Sequence, residues 1–221
     1  MSAPAGAPRL QSPAPGRAAL LIVDLINDMD FDGVEAMAAA AVAAARVVAM
    51  LRAQAEALGV PVVFVNDNYG LWHSERSKIV DHCRERSAVG RKLAELVAPR
   101  DEDYFVIKPQ VSGFYATNLP VLLPKLGVQR LVLTGVAADI CVMFTAADAH
   151  MRDYELWVPA DAVASSRPEH KDWALRIMAT SMDADIRPTG ALTLEAWVGA
   201  GAVSVGSGHP RLEDRSIRPA G

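Results

Sequence analysis

Ala18-Ala-Leu-Leu-Ile-Val-Asp24 is an unbroken apolar run that closes on a carboxylate. A strand with one wet face alternates apolar and polar residues; a run without alternation belongs to a strand buried on both faces, the condition of a parallel sheet packed between helices. Outward from this run the same pattern repeats. Gly33 to Leu58 carries Val and Met at helical spacing in an alanine-rich background and stops at Gly59, a residue type that ends helices. Val60-Pro-Val-Val-Phe-Val65 reads as a second strand. Tyr104 to Ile107, Arg130 to Thr134, Tyr154 to Pro159 and Ala184 to Arg187 read as further strands, and Thr117 to Leu126, Asp139 to Arg152 and Pro168 to Met182 as helices between them. Strands and helices taking turns in this way predict a three-layer α/β/α domain, Rossmann-like, around a mostly parallel six-stranded sheet.

Other stretches are less regular. Pro124 should kink or shorten the Thr117 to Leu126 helix, whereas Pro120 fits its first turn. Residues 66–102 predict an irregular crossing followed by a helix around Val89 to Val97. Residues 1–17, rich in Ala, Pro and Gly, are expected to form a loose arm, residues 18–200 the folded domain, and residues 201–221 a tail.

The 221 residues are 51% hydrophobic with a net charge of -4, too apolar for a disordered chain and without the basic footprint of a nucleic-acid binder. Two cysteines, Cys83 and Cys141, cannot make a disulfide framework, and the first twenty residues lack the charged and apolar regions of a leader. The alanine tract Ala36 to Ala45, followed by Arg46 and Arg52, falls short of the roughly 20 apolar residues of a membrane span. A cytoplasmic protein with reduced thiols, and no membrane or nucleic-acid partner, is expected.

In an open parallel sheet, sites form beyond the carboxyl ends of the strands. Three polar residues fall there: Asp24 after the first strand, Lys108 after Tyr104 to Ile107, and Cys141 at the start of the helix after Arg130 to Thr134. Singly, each has a plain structural reading, as a helix cap, a solvated lysine and a core thiol. Together they form a coherent chemical set. A cysteine at a helix start beside an ammonium group is expected to lean towards thiolate, a carboxylate can take and return its proton, and the turn amides of Ala137 and Cys141 can hold an oxyanion.

Three local motifs add specificity. Val23-Asp24-Leu-Ile-Asn27-Asp28-Met-Asp-Phe31, Lys108 followed by Ser112-Gly113-Phe114, and Thr134-Gly-Val-Ala-Ala-Asp-Ile-Cys141-Val142 resemble the signatures of the isochorismatase-like cysteine hydrolases, which include nicotinamidases and carbamoylsarcosine amidohydrolase. The resemblance runs from Ala18 to about Ser165. It implies that Asp24 is the general base, Lys108 its charged partner and Cys141 a nucleophile forming a thioester with a small amide-type substrate. It also implies a cis peptide at Val136-Ala137 and a homo-oligomer, dimer or tetramer.

The departures from the family pattern bear on ligands. Met29 stands where nicotinamidases carry an aromatic residue, and Asp67-Asn68-Tyr69 replaces their metal-binding Asp-x-His, with His73 and His82 at other spacings. No metal and no other cofactor is therefore expected. Asn27 and Asp28 are expected to brace the loop after the base, and Cys83 to be a structural thiol. Met29, Tyr69, Trp72, Phe114, Tyr115 and Phe144 are candidates for a substrate pocket. Two other readings stand beside the amidohydrolase: vinyl ether hydrolysis of the isochorismatase type, against which Cys141 itself argues, and a non-catalytic binding protein, against which the intact trio argues.

Overall fold

In the computed structural model, which describes residues 17–30, 34–70 and 75–203, residue parity along the first strand puts core on both sides of a sheet. β1 (Arg17–Val23) sends Ala18, Leu20 and Ile22 into one apolar cluster and Ala19, Leu21 and Val23 into another, each at most 2% exposed. β1 lies between β2 (Val62–Asp67) and β4 (Val128–Val136), with β3 (Tyr104–Lys108) outside β2 and β5 (Glu155–Trp157) outside β4. β6 (Val163–Ala164) pairs with the last residues of β4, and every pairing is parallel.

The first cluster packs under α1 (Val34–Leu58), α2 (Arg76–Arg86), α3 (Ala88–Leu96) and α7 (Leu194–Val203). The second packs under α4 (Leu119–Lys125), α5 (Met143–His150) and α6 (Pro168–Ser181). This is the expected three-layer arrangement. By length and composition α1 could cross a membrane, at a mean hydropathy of 1.8, yet its Met37, Ala41, Ala45, Val48 and Leu51 are buried against the sheet.

The strand order β3-β2-β1-β4-β5 reverses direction at β1, so the crevice between the ends of β1 and β4 is the switch point where such sheets place their ligands. The two strands come very close there. Gly135, paired with Val23, has φ +116°, and a Cβ at this position would stand 1.9 Å from the Val23 carbonyl oxygen.

The structure corrects several sequence expectations. The sixth strand is β6; Ala184 to Arg187 contributes an isolated bridge from Asp185 to Trp157. A helix, α2, occupies part of the supposed irregular crossing, and α3 is the helix expected around Val89 to Val97; between them the Ser87 hydroxyl caps α3 by accepting the Gly90 amide at 2.9 Å. α4 has seven residues against the ten expected, with Pro120 in its first turn and Pro124 accommodated inside it. The helix expected from Asp139 begins one residue earlier as a π-helical turn, Ala138–Val142, before α5. α7 has no counterpart in the sequence reading. It is tied down by Arg130, 4% exposed, whose guanidinium lies 3.9 Å over the Trp197 ring and donates to the Trp197 carbonyl.

Candidate active site

The ends of β1, β3 and β4 bring Asp24, Lys108 and Cys141 together. Asp24 follows β1 with φ +49°, its amide donating to the Val65 carbonyl at 3.0 Å. Lys108, 1% exposed, places its Nζ 2.9 Å from Asp24 Oδ2 and 3.5 Å from Cys141 Sγ. The other Asp24 oxygen accepts the Asp67 amide at 2.8 Å.

Burial decides the resting protonation of the group. It pushes the Asp24 carboxyl up from the ordinary range, against the Lys108 ammonium, the Cys141 thiol and the Asp67 amide, which favour the carboxylate. Burial, the largest single influence, would lower Lys108, but Asp24, Cys141 and Asp67 together outweigh it, and the lysine stays above its usual value. Burial, followed by the neighbouring Asp24 carboxylate, pushes the Cys141 thiol up to about 12 against the pull of Lys108. The shift runs opposite to the lean towards thiolate expected from the sequence.

Around the turn that carries Cys141 the structure adds a network that the sequence reading missed. Asp139, two residues before Cys141, accepts the Ser165 hydroxyl at 2.6 Å on one oxygen and faces His170 Nδ1 at 3.1 Å on the other. His170 in turn stacks on Trp173 at 5.5 Å. The end of β6 and the first turn of α6 are thereby bound to the turn that carries Cys141. An acidic residue at a helix start was the available signal, but its partners are remote in sequence. The Val136-Ala137 peptide is cis.

The described candidate pocket residues differ in their surroundings. Met29, 2% exposed, belongs to the core under α1, and Phe114, 3% exposed, to the core on the opposite face, near Tyr154 and Arg152. Both are core side chains because each points inward from its loop onto a face of the sheet. Tyr69 turns its hydroxyl to the Ile26 carbonyl at 2.7 Å, and burial raises its phenol. Tyr115 and Phe144 are exposed, at 60% and 49%. Trp72 and His73 lie outside the described residues.

The loop after Asp24 is braced as its polar residues suggest. Asn27 Oδ1 accepts the Met29 amide, Asp28 Oδ1 the Asp30 amide, and Asp28 Oδ2 meets His82 Nε2 at 3.1 Å. Cys83, next to His82 in α2, is fully buried, its thiol pushed up to about 12, chiefly by burial. Among the described residues the metal position of the nicotinamidases is not reproduced, since Asn68 Oδ1 is taken by the Gly70 amide and the Tyr69 hydroxyl by Ile26. Those residues do not fit a metal centre with Asp67.

The comparisons with known proteins come to the same place. An uncharacterized isochorismatase family protein of Bacillus subtilis (strain 168), YaaI, is 40% identical over 169 residues, covering 76% of this chain and 92% of that protein. The ureidoacrylate amidohydrolase RutB of Pantoea ananatis (strain LMG 20103) is 30% identical over 182 residues, covering 70% and 72%. The crystal structure of N-carbamoylsarcosine amidase from Thermoplasma acidophilum superimposes with a TM-score of 0.60 at 29% identity, covering 78% of this chain and 96% of that one. The Isochorismatase domain matches residues 18–187, from the start of β1 past the end of α6. A chain so covered, with this sheet and these strand ends, belongs to the isochorismatase family of hydrolases.

Proposed function

We propose that this hydrolase cleaves an amide-type C–N bond of a small molecule through a thioester on Cys141. One observation carries the reading: a single buried ammonium, Lys108 Nζ, touches both a carboxylate at 2.9 Å and a thiol at 3.5 Å at the switch point of the sheet. Relatives named as amidohydrolase and amidase support the bond type.

The chemistry follows from the protonation states. Asp24 takes the Cys141 proton as the sulfur attacks the substrate carbonyl carbon, so that a thiolate need not exist beforehand. The carbonyl oxygen becomes an oxyanion, held by the amides of Ala137 and Cys141. Asp24 returns the proton to the leaving nitrogen, the C–N bond breaks, and a thioester remains. A water that gives its proton to Asp24 then cleaves the thioester, releasing the carboxylic acid and restoring the thiol. Lys108 favours the ionised carboxylate before each proton transfer and holds it in place. No step calls for a metal or other cofactor.

Asp24→Asn tests the base. In a panel of small amides, ureas and carbamoyl compounds, the wild type is expected to show an acyl adduct on Cys141 by intact mass spectrometry under rapid quench. A carboxamide in place of the carboxylate cannot accept the proton, so the variant should form the adduct about 10²- to 10⁴-fold more slowly. Normal adduct formation in the variant overturns the assignment. Activity is expected to survive exhaustive chelation, and its loss with stoichiometric zinc or iron would overturn the metal-free reading. A cytoplasmic homo-oligomer belongs to the same proposal; a monomer by light scattering would remove its oligomeric part.

A further inference from the structure

Asp67 is the acidic side chain at the site that the thioester chemistry leaves without a task. It ends β2 directly beside Lys108, its register partner at the end of β3. Its side chain is 39% exposed, against 6% for Asp24 and 1% for Lys108. Only its backbone amide serves the base. Of its carboxylate oxygens, Oδ1 accepts the Tyr69 amide at 2.7 Å, while Oδ2 stands 3.6 Å from Lys108 Nζ, too far for a normal hydrogen bond.

A charge count gives this residue its significance. Asp24 and Lys108 neutralise each other at 2.9 Å, and Cys141 at rest is an uncharged thiol. Asp67 is then an excess negative charge, open to solvent where Asp24 and Lys108 are not. Among the described residues no cation besides Lys108 lies within 4.0 Å of it. Asn68 and Tyr69 direct their side chains into the loop, so the carboxylate is not half of a chelate. A charge at the low-dielectric mouth of a cleft selects the sign of what enters.

We infer that Asp67 selects the substrate: its Oδ2 receives a positively charged group, an ammonium or amidinium, carried next to the scissile carbonyl, and it turns away carboxylate-bearing amides. That the selected molecule is an amide rests on the function proposed above; the selection by charge does not.

The test reads the field at Cys141 without turnover. The full-length protein is treated with the 2-(trimethylammonium)ethyl and 2-sulfonatoethyl methanethiosulfonates, a cation and an anion. In each reaction the Cys141 sulfur attacks the sulfenyl sulfur, an S–S bond forms, methanesulfinate leaves with the electron pair, and the thiol proton passes to solvent. Rates are normalised to those with a small thiol, and peptide mapping separates Cys141 from the buried Cys83. At low ionic strength the cation should react about tenfold faster than the anion, the preference shrinking as salt is added. Asp67→Asn should bring the ratio close to unity, and Asp67→Glu should keep most of it. Any change in thiolate fraction acts on both reagents and cancels in the ratio, and the backbone bond from residue 67 to Asp24 survives either substitution.

An unchanged ratio in Asp67→Asn, a wild-type ratio of one or less, or no labelling of Cys141 by either reagent overturns the inference. Failure of the thioester reading would leave the ratio as it is, so the two are told apart. In the amide panel, kcat/KM should rank glycinamide above succinamate, and Asp67→Asn should narrow that gap by about tenfold. The reverse ranking in the wild type also counts against it.

Discussion

Cys141→Ala is expected to lower the turnover of every amide substrate by about 10⁴-fold or more, because the route through the thioester is lost and no other described side chain at the site can replace the sulfur. Stability should hardly change. The side chain is part-exposed, and its removal leaves the Asp24–Lys108 ion pair at 2.9 Å intact, so the cost should stay within about 1 kcal/mol. A variant with normal turnover and a normal thermal transition would remove the nucleophile from the mechanism. The protonation state gives a second handle on the same residue. With its thiol pushed up to about 12, Cys141 should react with thiol reagents at a rate that climbs steadily from pH 7 to pH 10. A plateau reached by pH 8 would instead mark a thiolate formed in advance by Lys108 and the helix start.

Gly135→Ala is expected to be the most damaging small substitution to the fold. The glycine sits where β4 passes β1, with φ +116°, a region closed to side-chain-bearing residues, and the added methyl would stand 1.9 Å from the Val23 oxygen and 2.8 Å from Val23 C and N. All three atoms are backbone of a central strand, so no rotamer change can relieve the overlap. A loss above about 4 kcal/mol, read as a collapse of the denaturation midpoint or of soluble yield, is the expected result. Gly199→Ala in α7 is the matched control. Nothing lies within 4 Å of its added Cβ, and alanine in a helix interior should be neutral or stabilising by about 0.5–1 kcal/mol. Equal stability of Gly135→Ala and wild type would contradict the close approach of β1 and β4.

The architecture was readable wherever a segment's burial follows from its own residues. The unbroken apolar run Ala18 to Val23 implies two covered faces, and the structure covers both. The alanine-rich segment ending at Gly59 reads as a helix and is one. The reading failed where the partner decides. Val163-Ala164 is a strand only because Gly135 and Val136 lie beside it, and two residues carry no period to recognise. Ala184 to Arg187 has the composition of a strand, yet it makes a single bridge, with Asp185 turned to pair with Arg187. α7 owes its place to Arg130 and Trp197, which are far apart in the chain.

For the site, the sequence by itself determined the chemical inventory and its location: a carboxylate, a lysine and a cysteine at the ends of parallel strands, in motifs that resemble one hydrolase superfamily. Tertiary structure decided how that inventory is charged and which neighbours serve it. Local reasoning placed Cys141 at a helix start near an ammonium and expected a thiolate; burial and the Asp24 carboxylate reverse the sign. The same holds for Asp139 with Ser165 and His170, and for Asp67 beside Lys108, pairings between residues at least 26 positions apart. The physical reason is that residue type and periodicity are properties of the chain, whereas desolvation and Coulomb interaction depend on what folding brings within a few ångströms.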